Sequence, residues 1–443
     1  MDLIVGIAFS FFALIFFLYK DFHIEFSVLI CFFIFFIIAL KRGYSFKSVL
    51  KMAYEGGKKS LVVAKILILI GIITASWMAS GTVQSIVYYG IKIINPDFFI
   101  VYTFLICTVV SYMLGTAFGT VGTVGVALMV MAKGGNLNPN IVSGAIISGA
   151  YFGDRCSPMS SSAHLVRNLT DTDIYSNIKN MVKTSIIPFI VSFFIYFIIS
   201  LNNPLKLAEN NLNFEIEKLF TINFLMLLPA IVILLLSCFK VNVNKSMILS
   251  IVTACIIAMF IQKVSFYKLV KYIIFGYKID KNTFLKNILK GGGILSMAKS
   301  SFLVLISCGL AGIIESSNML DGLYKIFNNI STHSILFLAT LLVSIIVSSF
   351  GGNQSIAIVL TAEIMRSTYE KLNISNSDFA VSIENTAVVL SPFIPWNIGG
   401  LIPTRTLNIS SVGYQGYAFY LYLIPVWNLM YLKIKETGKR KAT

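Results

Sequence analysis

Acidic residues are scarce in this chain: 19 Asp and Glu stand against 35 Lys and Arg, and charged residues make up only 12% of 443 positions. So little charge cannot cover the surface of a soluble domain of this size. Histidine is scarcer still, with three residues at 23, 164 and 333, and the six cysteines at 31, 107, 156, 238, 255 and 308 form no C-x-x-C pair. That spacing excludes a zinc-type cluster and a disulfide framework, and no cofactor is called for. Neither H-E-x-x-H nor G-x-S-x-G occurs, and no nucleophile stands with a plausible base, so the reading is of a protein that is not an enzyme. The formal net charge of +16 does not point to nucleic acid, because Lys and Arg sit in short segments flanking apolar runs.

What the chain has instead is apolar length. Hydrophobic residues reach 57%, aromatics 13%, and the mean hydropathy is +0.83. Runs at 3–19, 24–40, 60–80, 98–114, 183–201, 222–240, 246–262, 294–314, 334–350 and 416–432 approach the roughly 20 residues that cross a bilayer as helix. The fold expected is an all-α polytopic membrane protein of about 10–12 transmembrane segments, one transport domain over 1–443. The first run lacks a basic leader and a small-residue cleavage site, and reads as helix 1. Lys41, Arg42, Lys47, Lys51, Lys58 and Lys59 place the segment after helix 2, and with it the N-terminus, in the cytoplasm; the basic tail 433–443 is cytoplasmic too.

An internal repeat organises the remainder. Laying 44–165 over 278–400 brings "CSPMS" (156–160) onto "LSPFI" (390–394), and "FGTVGTVGVALMV" (118–130) onto "GNQSIAIVLTAEI" (352–364). The division expected is two N-terminal helices (1–40), a first repeat (41–201), connecting helices (202–262) and a second repeat (263–432). The Lys-rich segments 41–59 and 263–290 correspond, and positive-inside bias puts both in the cytoplasm, so parallel repeats stand as an alternative to inverted ones with one basic segment lying at the interface. Each half interrupts its hydrophobic pattern twice: "GTAFGTVGTVG" (115–125) and "GDRCSPMSSS" (153–162), then "SSFGGNQS" (348–355) and "LSPFIPWNIGG" (390–400). Gly and Pro open the backbone there, and such backbone survives at membrane depth only inside protein or against a watery cavity. Discontinuous or re-entrant helices meeting near the midplane are the mark of a secondary transporter. Tight packing of small residues alone does not account for Pro beside Ser and Asn at matched places.

Most acids lie in polar connections, but Asp154, Glu363 and Glu384 do not. An ionised acid within the bilayer costs several kcal/mol, about 2.5–3.5 on insertion scales, so it has a partner or a task. Glu363 precedes Arg366 by one helical turn, an ordinary ion-pair spacing. Asp154 precedes Arg155, which leaves an interfacial pair open as a plain structural role; Glu384 stands beside Asn385 with no neighbouring base. Neutral oxygen and amide ligands for a small cation are at hand in Thr116, Thr120, Thr123, Ser157, Ser160, Ser161, Asn353, Gln354, Asn385, Ser391 and Asn397.

"SGAYFGDRCSPMS", "GNQSIAIVL" and "SPFIPWN" together resemble the NhaC-type sodium/proton antiporter family of the wider ion transporter superfamily, over about 44–432. The resemblance implies a secondary carrier in a bacterial inner membrane, with Asp154, Ser157 and Pro158 matching a first motif and Asn353, Gln354, Ser391, Pro392, Trp396 and Asn397 a second. Where the family commonly carries a carboxylate, this chain has Ser161, followed by His164. The mechanism expected is alternating access, Asp154 and Glu384 binding Na+ when ionised and releasing it on protonation. The alternative is Na+- or H+-coupled transport of a small organic solute, an amino acid or carboxylate, with Trp396 walling off the ligand. The partners expected are therefore the lipid bilayer, Na+, H+ and that solute.

Overall fold

The computed structural model describes residues 2–19, 24–206, 212–279, 283, 285–317, 319, 327 and 330–442. Every apolar run named above is helical. The chain opens with α1 (Asp2–Tyr19), α2 (Ile24–Lys41), α3 (Phe46–Lys58), α4 (Ser60–Ala79) and α5 (Thr82–Ile93). It continues with α6 (Phe99–Leu114), α7 (Ala117–Thr120), α8 (Val126–Gly134), α9 (Pro139–Cys156), α10 (Ser161–Thr170) and α11 (Ile174–Asn202). A connecting group follows: α12 (Leu212–Leu219), α13 (Leu228–Cys238), α14 (Val243–Phe260), α15 (Phe266–Phe275) and α16 (Leu285–Ile288). Last come α17 (Ile294–Ser316), α18 (His333–Gly351), α19 (Gln354–Lys371), α20 (Asn376–Ile383), α21 (Ile398–Thr406) and α22 (Phe419–Ala442).

Among the described residues seven helices are long and apolar enough to cross a membrane, or nine if each sharply bent pair counts as one span. The larger sequence-based number arises because it also counts α1, α2 and α22. The chain is a multi-pass membrane protein. Between α7 and α8 the backbone forms a π-turn at Val121–Gly125, and a second one follows α20 at Glu384–Val388. Single π-turns inside α-helices concentrate at functional positions.

The order of elements over 99–202 is a long helix, a break, a helix, a second helix, a break, a short helix and a long helix. The same order runs over 333–442. Small residues set how closely these helices approach. Gly149 and Gly153 lie against the backbone of α6, where an added Cβ would stand 2.5 Å from the Phe104 carbonyl oxygen and 2.0 Å from the Ser111 carbonyl carbon. Gly56 of α3 and Gly312 of α17 make a second such crossing, each Cβ position falling within 2.7 Å of the other's Cα. In lipid, where apolar side chains gain little by association, such backbone contact is what holds helices together. Here it seats α9 on α6 and so fixes where Asp154 can reach.

Candidate functional site

In the first half, α6 ends at Gly115, whose φ of +65° only glycine adopts without strain. α9 ends at Cys156, and Ser157 bonds across to the other break: its Oγ donates to the Tyr112 carbonyl at 2.7 Å and accepts from the Met159 N–H at 3.2 Å. A Cβ on Gly115 would lie 2.6 Å from Met159, so the two breaks of this half rest on each other. Ser160 then caps α10, accepting from the Ala163 N–H at 3.2 Å.

Asp154 sits in the last turn of α9, 6% exposed. One carboxylate oxygen accepts from the Ala117 N–H at 3.3 Å, at the first turn of α7 within the first break. The other accepts from Gln354 Nε2 at 2.9 Å and from Ser162 Oγ at 3.4 Å. The donors thus come from the first, second and third breaks, and one from the opposite half of the chain. N–H groups at helix starts, with the macrodipole behind them, favour an anion there. The Asp154 carbonyl also accepts from both Ser160 Oγ and Ser162 Oγ.

The second half is built alike. Gly352, with φ +57°, ends α18, and Asn353 caps α19 through a 2.9 Å bond from the Ser355 N–H. After the π-turn the chain bends by 49° into α21, which Asn397 caps by accepting from the Gly399 N–H at 2.9 Å. The last break is tied to the third: Asn397 Nδ2 donates to Ser348 O (2.7 Å), Trp396 Nε1 to Ser349 O (2.7 Å), and the Ile398 N–H to Gly352 O (2.9 Å). Ser391 Oγ donates to Ala387 O at 2.7 Å and lies 3.3 Å from Ser348 Oγ. Tyr151, one turn before Asp154, donates to the Gly399 carbonyl at 2.9 Å and closes the circuit from the second break to the fourth. All four interruptions are therefore joined by hydrogen bonds.

Arg155 does not pair with Asp154. It is fully buried and turns the other way, donating to Thr184 Oγ1 (3.0 Å), Met181 O (3.2 Å), Ser185 Oγ and Asn385 Oδ1. The interfacial pair weighed from the sequence is corrected by this geometry. Glu384, 1% exposed, has no hydrogen-bond partner on either carboxylate oxygen among the described residues. The Arg155 guanidinium acts on it through charge, with no direct bond between the two among the described residues. Glu363 is exposed, and no Glu363–Arg366 ion pair forms among the described residues; Arg366 donates to the Leu169 carbonyl.

The network gathers Asp154, Ser157, Ser160, Gln354, Asn353, Ser391, Trp396 and Asn397, and sets Glu384 and Asn385 beside Arg155. Thr116 contributes its carbonyl, which accepts from Thr120 Oγ1 at 2.9 Å, while Thr123 Oγ1 donates to Gly119 O at 2.7 Å. These hydroxyl protons are spent on their own helix, leaving lone pairs for a cation. Ser161 is exposed and lies outside the network. Its neighbour Ser162, passed over in the sequence, holds the place beside Asp154. Tyr151 and Arg155 were also not put forward as site residues, for want of any signal beyond their nearness to Asp154.

A family model for the Na+/H+ antiporter family matches residues 1–163 and 149–434. The Na(+)/H(+) antiporter NhaC of Alkalihalophilus pseudofirmus is 30% identical over 83% of this chain and 80% of its own length. A malate-2H(+)/Na(+)-lactate antiporter of Bacillus subtilis is 27% identical over 89% of this chain and 86% of its own. An arginine/ornithine antiporter, ArcD, of Halobacterium salinarum is 24% identical over 88% and 84%. With matches spanning nearly its whole length, the chain belongs to the Na+/H+ antiporter family.

Proposed function

We propose that this protein exchanges Na+ for H+ across a bacterial inner membrane by alternating access, with both termini in the cytoplasm and its two halves arranged as inverted repeats. Asp154 binds Na+ when ionised and releases it when protonated, so competition for one carboxylate couples the two fluxes. Ser160 and Ser162 hydroxyls, the Gln354 amide oxygen and backbone carbonyls at the breaks are hard-oxygen ligands of the kind a small cation takes. The observation that carries the reading is the 2.9 Å bond from Gln354 to Asp154, because it puts the one acid seated inside a break on the seam between the halves. Movement of one half against the other must remake that contact, which is what alternating access asks of a binding site.

The test is Na+-driven pH change in everted vesicles, normalised to folded protein. Exchange in the wild type and its loss in Asp154→Asn support the reading; near-normal exchange in Asp154→Asn removes it. A second reading, Na+- or H+-coupled transport of a small organic solute, is favoured by Ser161 in place of an acid. Two of the proteins similar to this chain are named for malate and lactate and for arginine and ornithine. Accumulation of such a solute against its gradient in proteoliposomes, driven by Na+ or H+, would select it.

A further inference from the structure

Away from the Asp154 network, a cavity of about 200 Å3 opens among α11, α18, α20 and α22. Its lining includes Asn180, Lys183, His333, Trp427, Asn428 and Lys435. Three features separate it from an ordinary crevice. Asn428 is only 3% exposed and its side chain makes no hydrogen bond to protein among the described residues, so its amide opens onto the space. His333 Nε2 is likewise buried without a partner. A buried polar atom with nothing to bond costs about 1–3 kcal/mol, and His333 Nε2 is such an atom in this lining, which argues that the cavity is built to be filled.

The charge says with what. Lys183 and Lys435 are both in the lining, and neither is ion-paired among the described residues. The lining's one acid, Asp378, already accepts from Ser375 Oγ at 2.9 Å. Glu436, next along α22, is spent on the start of α18, accepting from the Ser334 N–H and Oγ at 2.7 Å each. Two ammonium groups against one carboxylate leave the lining with a net positive charge, and with the N–H groups of Asn180, Asn428 and Trp427 its donors outnumber its acceptors, as in an anion site. A water occupies about 30 Å3 in the liquid, so the space suits one carboxylate or phosphate group on a short stem.

We infer that this cavity binds a small oxyanion, carboxylate or phosphate, outside the Asp154 network. Thr184 lies in its wall and accepts from Arg155 at 3.0 Å and from Asn385 at 3.5 Å, so the site stands one hydrogen bond from the buried guanidinium. Two sources can present that chemistry, a free anion or the headgroup of an acidic phospholipid, and the experiment separates them.

The full-length protein is placed in nanodiscs of zwitterionic phosphatidylcholine. Succinate and inorganic phosphate are titrated by calorimetry at fixed pH, Na+ and ionic strength, with chloride as control. A parallel arm adds phosphatidylglycerol and scores retained lipid by native mass spectrometry. Saturable binding in the first arm assigns a free anion; selective retention in the second assigns a lipid headgroup. In either case Lys183→Gln/Lys435→Gln, which removes two charge-assisted contacts, and Asn428→Ala, which removes one, each weaken binding by about tenfold or more. Na+/H+ exchange in anion-free buffer is unchanged in Lys435→Gln. No binding in either arm, or binding indifferent to Lys183→Gln/Lys435→Gln, overturns the proposal. Both lysines are exposed, so that variant folds whatever befalls Asn428→Ala.

Discussion

The Asp154 carboxylate accepts from the Gln354 side chain at 2.9 Å, across 200 residues of sequence and between the first turn of one half-helix and the last turn of another. Asp154→Asn keeps the size but removes the charge and one of the two acceptor oxygens, so the bonds from Ala117 on one side and from Gln354 and Ser162 on the other are not all kept. Folding and membrane insertion are expected to survive. Na+-driven proton movement falls by roughly tenfold or more, each 1.4 kcal/mol of lost cation binding being about a factor of ten. Gln354→Ala removes one charge-assisted bond, worth about 1.5–3 kcal/mol, and lowers exchange by a similar factor without touching the acid. The same vesicle assay measures both, and a Gln354→Ala protein with wild-type exchange would show that the seam contact is incidental.

Glu384 predicts the same split, with stability kept and transport lost. Its oxygens hold no partner among the described residues, so Glu384→Gln forfeits no hydrogen bond of the resting fold. The variant gives up the attraction to Arg155 but also the cost of burying a charge, so it is expected to unfold within about 1 kcal/mol of wild type. Its exchange rate drops nonetheless, because the group can no longer take up a charge. Thermal unfolding in detergent beside transport in vesicles tests this, and a destabilised variant with normal transport would make Glu384 a structural residue.

How much of this was legible beforehand follows from what each feature depends on. Helices and their breaks depend on local composition, and "GTAFGTVGTVG" or "LSPFIPWNIGG" announce themselves by Gly and Pro alone. Asp154 could be singled out because an acid in an apolar chain is conspicuous. Which serine stands beside it could not be read. Ser161 and Ser162 are adjacent and chemically alike, and only the start of α10 at Ser161, set by the Ser160 cap, turns Ser162 inward and Ser161 out. Arg155 misled for the same reason. Adjacency in sequence suggested a pair, but successive helical residues point about 100° apart, so the guanidinium faces α11 while the carboxylate faces α7.

Close packing of α6 on α9 yields a stability prediction. A Cβ at Gly153 would stand 2.0 Å from the Ser111 carbonyl carbon and 2.3 Å from the Tyr112 nitrogen, and backbone atoms cannot rotate away. Overpacking costs about 1–3 kcal/mol where side chains can yield, and more is expected here. Gly416, where nothing lies within 4 Å of an added Cβ, is the control. Gly153→Ala is expected to lower the unfolding temperature clearly and Gly416→Ala hardly at all. Equal effects would mean that α6 and α9 are less closely apposed.

At the outer end of α11, Asp173 caps the helix, accepting from the Ser176 N–H at 2.9 Å, and that bond holds its carboxyl below the usual carboxylate range. A group whose folded pKa is depressed contributes stability above its unfolded value and loses it as pH falls through the folded one. The first turn of α11 is therefore expected to exchange its amide hydrogens faster as pH drops below about 4, after correction for the intrinsic rate. Asp173→Asn, which still caps, should remove that pH dependence. A first turn whose protection is flat with pH in the wild type would count against the bond.

Arg155 supports the sharpest structural prediction, because one guanidinium joins α9 to α11 and to the π-turn at Asn385. Arg155→Ala would leave the hydroxyls of Thr184 and Ser185 and the Asn385 amide short of a donor, and the Glu384 carboxyl without a nearby cation. Removing one member of a buried charged network costs about 3–5 kcal/mol. Arg155→Lys keeps the charge but replaces a planar five-donor fork with a compact ammonium of three donors, which cannot bond all four acceptors, three on α11 and one on the π-turn, at once. Both variants are expected to lose folded yield by size exclusion after mild heating, with Lys intermediate. An Arg155→Lys protein that matches wild type in stability would mean that charge alone matters at this position, and an Arg155→Ala protein that does so would mean that the network carries no weight.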